Sequence, residues 1–337
     1  MDLNILWYLL IAILYIGFFI LDGFDFGVGI LLPFLTKDDT ERRMIINTIG
    51  PHWDANEVWL ITAGGATFAA FPHWYATMFS GLYPALFLLL VGLILRGVAF
   101  EFRSKDDNPL WRTLWDWAIF IGSFLGALLF GVAFANLFRG LPIDENMVYT
   151  GGFWYLLNPF GLLGGLMGVV GFLFHGSLYL SLKTEGELLG KVKALINKLW
   201  IAAMVVFALL FVGGFVFTAT LGSMGVALVL PVLSLVALGL AGMFARQEKY
   251  GLGFVMSALA ILFVFVTHFW GGYPNVMLST TNPAFSLTIY NAASSQYTLK
   301  IMAIVAAIFV PIMLAYQVWV YKVFGNRVSA DPKELEY

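Results

Sequence analysis

No cysteine occurs among the 337 residues, and only 11% of them are charged. The first absence excludes disulfides, thiolate-bound metals, iron–sulfur clusters and thioether-linked haem, and leaves four histidines as the imidazole ligands on offer. The second excludes an ordinary soluble domain, in which roughly a quarter of residues are charged. No polar stretch is long enough to fold by itself in water, and no P-loop, paired-histidine zinc motif or dinucleotide fingerprint appears in a usable context. The net charge of -2 points to no class of partner, and nothing marks the chain for nucleic acid.

What is present is apolar: 61% of residues are hydrophobic and the mean hydropathy is +0.87. Unbroken apolar runs of roughly twenty residues, without the alternation a membrane strand needs, predict an all-α polytopic membrane protein and not a barrel. The opening "MDLNILWYLL" lacks the basic region of a secretory signal, so the first span is read as retained.

Hydropathy predicts about nine transmembrane helices, near 5–33, 54–71, 76–100, 114–138, 157–182, 198–220, 224–245, 251–270 and 300–324. Prolines such as Pro33, Pro51, Pro72, Pro109 and Pro159, or charge clusters, mark the joints. Basic residues fall almost wholly on one side of such a chain: Lys37, Arg42 and Arg43; Arg103, Lys105 and Arg112; Lys183, Lys191, Lys193 and Lys198; Arg246 and Lys249; Lys322, Arg327 and Lys333. That asymmetry predicts an outside N-terminus and a cytoplasmic C-terminus. Residues 1–337 then form one integral membrane domain, with a first helix bundle over 1–138, a second over 157–270, an outer loop over 271–299 and a last helix over 300–324. The expected architecture is two four-helix bundles plus one peripheral helix. Aromatics in the outer loop place it along the membrane surface or against a partner.

Ionisable residues inside the spans crowd toward the cytoplasmic half. Asp22 and Asp25 sit at i, i+3 on one face of the first span, where a carboxylate costs on the order of 2.5–3.5 kcal/mol at the helix centre. They must face protein or water, and burial with mutual repulsion favours a proton on at least one of them. A structural pair bridged to Arg96 is the other reading. "PHWDANEVW" puts His52, Asp54 and Glu57 within one turn at the start of the second span. Asp54 and Asp116 either cap helix starts or take part in proton chemistry. Arg96, Glu101 and Arg103 read as interfacial ion pairs with snorkelling side chains. His175 is the histidine well inside a span and reads as a packing residue, while His52 and His73 lie at span ends. Gly23 and Gly27 form a G-x-x-x-G that permits close helix approach, and Gly64 with Gly65 offer a second such face. A line of protonatable groups stopping partway across fits two classes. One is a proton-coupled secondary transporter; the other is a subunit of an energy-converting complex that delivers protons to a reaction elsewhere.

The strings "LDGFDFGVG", "DDTERRMIINTIGPHWDANEVWLITAGGATFAAFP", "FRSK", "WRTLWDWAIFIGSF", "GVAFANL", "LLNPFGLLGG" and "SLTIYNAASSQYTL" decide between them. Together they resemble subunit II of the cytochrome bd-type quinol oxidases, in the family's order and over most of the chain, thinning between about 195 and 270. The resemblance implies a subunit of a quinol:oxygen oxidoreductase in a prokaryotic plasma membrane, paired with a haem-bearing subunit I and often a small single-span accessory subunit. The complex reduces O2 to water and builds a proton motive force without pumping. Two b-type haems and one d-type haem are expected in subunit I and none in this chain, although some members hold a structural quinone here. By position, Asp54 of "HWD" resembles the entrance of a proton path shared with subunit I, Asp25 the group conducting protons toward the haem region, and Trp59 an aromatic on a hydrophobic oxygen route. Asp22, Glu57 and Asp116 join the proton path from their chemistry alone.

Overall fold

The computed structural model describes residues 2–331 and 335, apart from the side chain of Val226. Lys333, counted above among the basic residues, lies outside the described residues. Thirteen α-helices occur among those described. They are α1 (Leu3–Leu35), α2 (Asp39–Ile49), α3 (Trp53–Ala70), α4 (Pro72–Gly81), α5 (Tyr83–Phe102), α6 (Pro109–Arg139), α7 (Gly152–Leu156), α8 (Pro159–Lys183), α9 (Gly186–Phe217), α10 (Ala219–Ser223), α11 (Val229–Arg246), α12 (Tyr250–Gly272) and α13 (Gln296–Val323). A small antiparallel ribbon, β1 (Asn275–Met277) with β2 (Leu287–Thr288), sits between α12 and α13.

Local chemistry sets the helix starts. Asn108 and Asn158 each precede a proline at the first helical position and accept a backbone N–H of the first turn, from Leu110 and Gly161, at 2.9 Å in both cases. Asp38 accepts from Glu41 N at 2.9 Å while the Glu41 side chain accepts from Lys37 N at 2.8 Å, a reciprocal cap that starts α2. The sequence reading contained no α2, because its eleven residues are too few and too polar for a span.

Eight helices among the described residues are long and apolar enough to cross a membrane: α1, α5 with its short 3-10 extension, α6, α8, α9, α11, α12 and α13. The eighteen-residue α3 matches the expected span at 54–71 in position but not in apolarity, because Asp54, Asn56, Glu57, Thr62 and Thr67 lie along it. The span expected at 76–100 is two helices: the chain breaks at Leu82, and Pro84, which has no N–H to donate, opens α5. Three extra turns, "GELLGKVKALINK", lengthen α9 on its basic side.

Packing centres on α1, which touches α3, α6, α8 and α12. Helices α8, α9, α11 and α12 close a ring in which each contacts the next, and α6 lies against both α5 and α8. Gly27 is in backbone contact with α8: a Cβ there would run into the Phe172 carbonyl, and a Cβ on Gly176 would come within 2.8 Å of Gly27. The G-x-x-x-G of α1 is thus a helix contact, with Gly23 under the Phe172 ring. Gly64 and Gly65 are not: a Cβ on Gly65 would meet nothing within 4 Å, and one on Gly64 only the rim of Phe79.

The apolar interior is two clusters stacked along α1. One gathers Trp7, Ile11, Phe18 and Phe19 with Phe71, Phe130 and Leu299; the other gathers Phe24, Val28 and Leu32 with Ile45, Phe100 and Leu178. Asp22 and Asp25 fall where one cluster gives way to the other. The loop after α12 belongs to the first cluster, with Met277, Leu287, Ile289 and Ala292 buried in it. Asn4 Nδ2 donates to Ile289 O at 2.6 Å and Gln296 Nε2 to Asn4 Oδ1 at 2.6 Å, so the loop is tied to the start of α1. One side of the loop thus packs on its own chain, while Tyr273, Tyr290 and Tyr297 stay exposed.

Candidate functional site

The polar layer between the two clusters is assembled from five helices. Arg96, from α5, is fully buried and its Nη2 donates to Asp22 Oδ1 of α1 and to Glu57 Oε1 of α3, both at 2.6 Å. Its guanidinium also lies 4.3 Å over the Phe26 ring. Arg96 is therefore neither interfacial nor snorkelling, which corrects that expectation: Gly122 of α6 leaves room beside it, since a Cβ there would come within 2.8 Å of the Arg96 Cβ. Asp25, one turn along α1, is also fully buried. Its Oδ2 accepts from Asn56 Nδ2 at 2.7 Å, and Asn56 Oδ1 in turn accepts from Gln317 Nε2 at 3.0 Å and Tyr321 OH at 2.9 Å. Asp22 and Asp25 share one helix face, and Asp22 Oδ2 and Asp25 Oδ1 have no hydrogen-bond partner among the described residues. Three carboxyls thus surround one guanidinium. That is an imbalance of buried charge which a bound proton would offset.

Toward the basic end of the bundle lies His52, in the turn before α3. Its Nε2 is 2.9 Å from Tyr179 OH, which itself donates to Thr48 O at 2.7 Å, and its ring packs 4.9 Å from that of Tyr321. Burial, and then the charge of Lys183, push the His52 imidazole down to about 3, so it is neutral at neutral pH.

The other acids stand elsewhere. Asp116 is buried at the start of α6 and accepts from Arg103 Nε at 2.5 Å and Arg42 Nη1 at 3.0 Å. Arg103 reaches on to Asp39 at 2.8 Å, and Asp39 to Arg112 at 2.7 Å, so one network joins α2, the end of α5 and α6. Burial alone would raise the Asp39 carboxyl, but the hydrogen bond and charge of Arg103, with the charges of Arg112 and Arg43, hold it below its ordinary 3.8. Asp54 and Glu101 are exposed, and Asp54 Oδ1 accepts from Ala55 N at 2.7 Å within the first turn of α3. Trp59 packs against Gly17 of α1.

A separate cavity of about 190 Å³ opens between α6, α8, α9, α11 and α12, lined by Phe130, Phe134, Met167, Phe207, Ser257 and His268 among others. His175, on its wall, has both ring nitrogens engaged, Nδ1 with Ser257 Oγ at 2.6 Å and Nε2 with Ile20 O at 3.1 Å.

A family model described as cytochrome bd terminal oxidase subunit II matches residues 3–324. The chain belongs to that family. Members similar to it include the cytochrome bd-I ubiquinol oxidase subunit 2 of Escherichia coli K12, 42% identical over 98% of this chain and 96% of that one. The cytochrome bd ubiquinol oxidase subunit 2 of Bacillus subtilis is 41% identical over 97% of each chain. The solved bd oxidase of Geobacillus thermodenitrificans shares the fold, with a TM-score of 0.78 over 96% of this chain and 99% of that one at 15% identity. As a bd subunit II, the chain is part of a bd-type quinol oxidase in a membrane, and the transporter reading is set aside. The complex uses haem. Within this subunit II both ring nitrogens of His175 are engaged, and the cavity of about 190 Å³ beside His268 compares with the roughly 150 Å³ that admits one benzene, too little for a macrocycle. Among the described residues no group of three or more His, Cys, Asp or Glu could hold a metal ion.

Reasoning from sequence singled out Asp22, Asp25, Glu57 and Arg96, and the fold brings these four together. It missed Asn56, Gln317, Tyr321 and Tyr179, which connect them to the basic end. Gln317 carried a signal: it is the one amide in the last apolar run, residues 300–320.

The depressed His52 and Asp39 groups give the bd subunit II an acid limit in two windows. For both, the unfolded chain binds the proton more readily, so stability present above the ordinary value is lost as pH falls. His52 acts between 6.5 and about 3, and Asp39 only below 3.8. Acidifying the purified complex to pH 5 is expected to cost about 2 kcal/mol through His52. Thermal melting followed by haem absorbance checks this: His52→Gln should flatten the curve between pH 6.5 and 5 and leave the Asp39 loss below 3.8 in place.

Proposed function

We propose that this subunit carries protons from the cytoplasm toward the oxygen-reducing haem of its partner, with Asp25 as the relay and Asp22, Arg96 and Glu57 as its electrostatic frame. The observation carrying this reading is the buried cluster of three acids about one arginine, connected through Asn56 to Tyr321 and thence to His52. In this reading α3 is a ninth span despite its polar residues. Its outward stripe of Asp54, Thr62 and Gly65 faces the haem-bearing subunit I instead of lipid. Asp54 marks the cytoplasmic entrance at that interface, Asp116 holds the arginine network at the same end, and Trp59 lies on the oxygen route.

The basic end of the bundle is the cytoplasmic end, with the N-terminus outside. Supporting this, loop charges assigned to one side pair with each other, as in Lys37–Glu187 at 3.2 Å and Lys193–Glu248 at 2.9 Å. Helices α1, α3, α5 and α6 then make one four-helix bundle within 1–138, helices α8, α9, α11 and α12 a second within 157–270, and α13 stands outside both. The haems, two b-type and one d-type, belong to subunit I, and a small single-span subunit completes the complex in a prokaryotic plasma membrane. Quinol is the reductant and O2 the oxidant of that complex, and the potential arises without pumping. The cavity suits a structural quinone in part: it has room for one ring or a stretch of prenyl chain, with His268 the wall group available to a carbonyl oxygen.

Asp25→Asn keeps the size and the hydrogen bond of the side chain and removes its proton. In reconstituted vesicles the variant is expected to cut quinol-driven oxygen uptake at least about 10²-fold with unchanged haem spectra. Wild-type turnover and membrane potential in that variant would sink the relay.

A further inference from the structure

Helix α13 is the least embedded of the long helices, with 6% of its most apolar window buried. Its inward residues are Leu299, Gln317 and Val320, and next to them Tyr321. Gln317 and Tyr321 are four apart, hence on one face, and both donate to the same oxygen, Asn56 Oδ1. Two donors on the carbonyl oxygen turn the NH2 of that amide the other way, where it meets Asp25 Oδ2 at 2.7 Å and the Leu21 carbonyl at 3.4 Å. A carbonyl can only accept, so the Leu21 contact fixes the same orientation. An amide NH2 only donates, which makes Asp25 Oδ2 an acceptor and leaves Oδ1 to carry the acid proton. That oxygen is buried with no hydrogen-bond partner among the described residues, and Asp22, three residues back, lies on the same helix face.

We infer that Gln317 and Tyr321 are positioning residues for proton transfer: through Asn56 they hold Asp25 so that its proton sits on Oδ1, the oxygen the amide leaves free. The inference rests on the relay reading of Asp25. The charged and titratable groups facing that carboxyl are Asp22 on its own helix, Glu57 from α3, Arg96 from α5, Tyr179 from α8 and Tyr321 from α13. A helix that adds little to the core thus sets which oxygen of the relay is loaded.

The test uses the complete oxidase complex with Tyr321→Phe, Gln317→Leu and the two combined. Two readouts apply: the carbonyl stretch of protonated Asp25, identified by its loss in Asp25→Asn, in infrared difference spectra, and the pH profile of oxygen uptake. Either donor alone holds the amide, so each single variant should leave the band near its wild-type position; the turnover of Tyr321→Phe is read separately, because its hydroxyl also lies on the connection toward His52. The double variant should shift the band, move the pH profile and lower turnover roughly 3- to 10-fold, an effect larger than the singles combined. Asn56→Leu, which removes the clamp at its centre, should shift the band in the same sense and serves if the double variant does not assemble. An unmoved band and pH profile in assembled complex overturn the inference, even where turnover falls, because α13 would then act through packing alone. Should Asp25→Asn retain wild-type turnover, the relay reading fails instead, and the band still reports whether the clamp orients the carboxyl.

Discussion

Arg96→Leu is expected to cost about 3–5 kcal/mol and to abolish assembly of the haem-containing complex. The arginine gains little as an isolated ion pair, since removing its charge from water offsets much of its attraction to Asp22 and Glu57. Its loss is severe for another reason. Asp22 is fully buried between two apolar clusters, and without Arg96 it and Glu57 keep their desolvation cost with nothing opposing it. Neutralising the acids together with the arginine, as Arg96→Met with Asp22→Asn and Glu57→Gln, should recover most of the assembled complex, because no uncompensated charge stays buried. Haem-to-protein ratio after purification and the melting temperature measure both variants. Wild-type yield and stability in Arg96→Leu alone would show that the three-way contact contributes nothing to the fold.

Gly27→Val is expected to be comparably damaging through sterics. A side chain at Gly27 meets the Phe172 carbonyl and the Gly176 Cα, which are backbone of α8 and cannot rotate away. The two helices must separate, opening the seam between the first helix and the ring of four behind it. A loss above about 3 kcal/mol is expected, beyond the usual range for overpacking, because a whole helix moves. Gly176→Ala attacks the same contact from the other side, so the pair should cost less together than the sum of the singles. Gly190→Ala is the control: its added Cβ meets nothing within 4 Å, and replacing an exposed helical glycine should gain about 0.5–1 kcal/mol. Melting of the purified complex ranks all four variants.

Much of this arrangement is legible in the linear chain, and the reasons differ by feature. The apolar runs betray themselves because a bilayer leaves a backbone no choice but the helix. The acids of α1 stand out because a carboxylate in an apolar run is costly, and both readings of them, proton group or pair bridged to Arg96, require a protein interior. Arg96 and Glu57 were visible as charges, but their meeting with Asp22 depends on side-chain directions across three helices, which spacing along one helix does not encode. Asn56 and Tyr321 were invisible for a related cause: neutral polar residues are common at span ends, and only the tertiary fold puts them in series. The break at Leu82 and the amphipathic α2 escaped a window tuned to twenty apolar residues. Asp116 shows another limit: the sequence left it either a helix cap or a proton group, and its two arginine partners, from α2 and the end of α5, come from parts of the chain that local spacing does not connect.

The order of synthesis gives Arg96 one more consequence. Asp22 and Asp25 leave the ribosome some seventy residues ahead of the guanidinium that balances them, and α3, too polar to partition into lipid unaided, emerges in between. Helix α1 is apolar enough to cross by itself, whereas α3 is not, and the acids of α1 stay unbalanced until α5 arrives. A chain truncated before Arg96 is therefore expected to insert α1 yet fail to hold α3 against it, which protease accessibility of α3 in membranes would report.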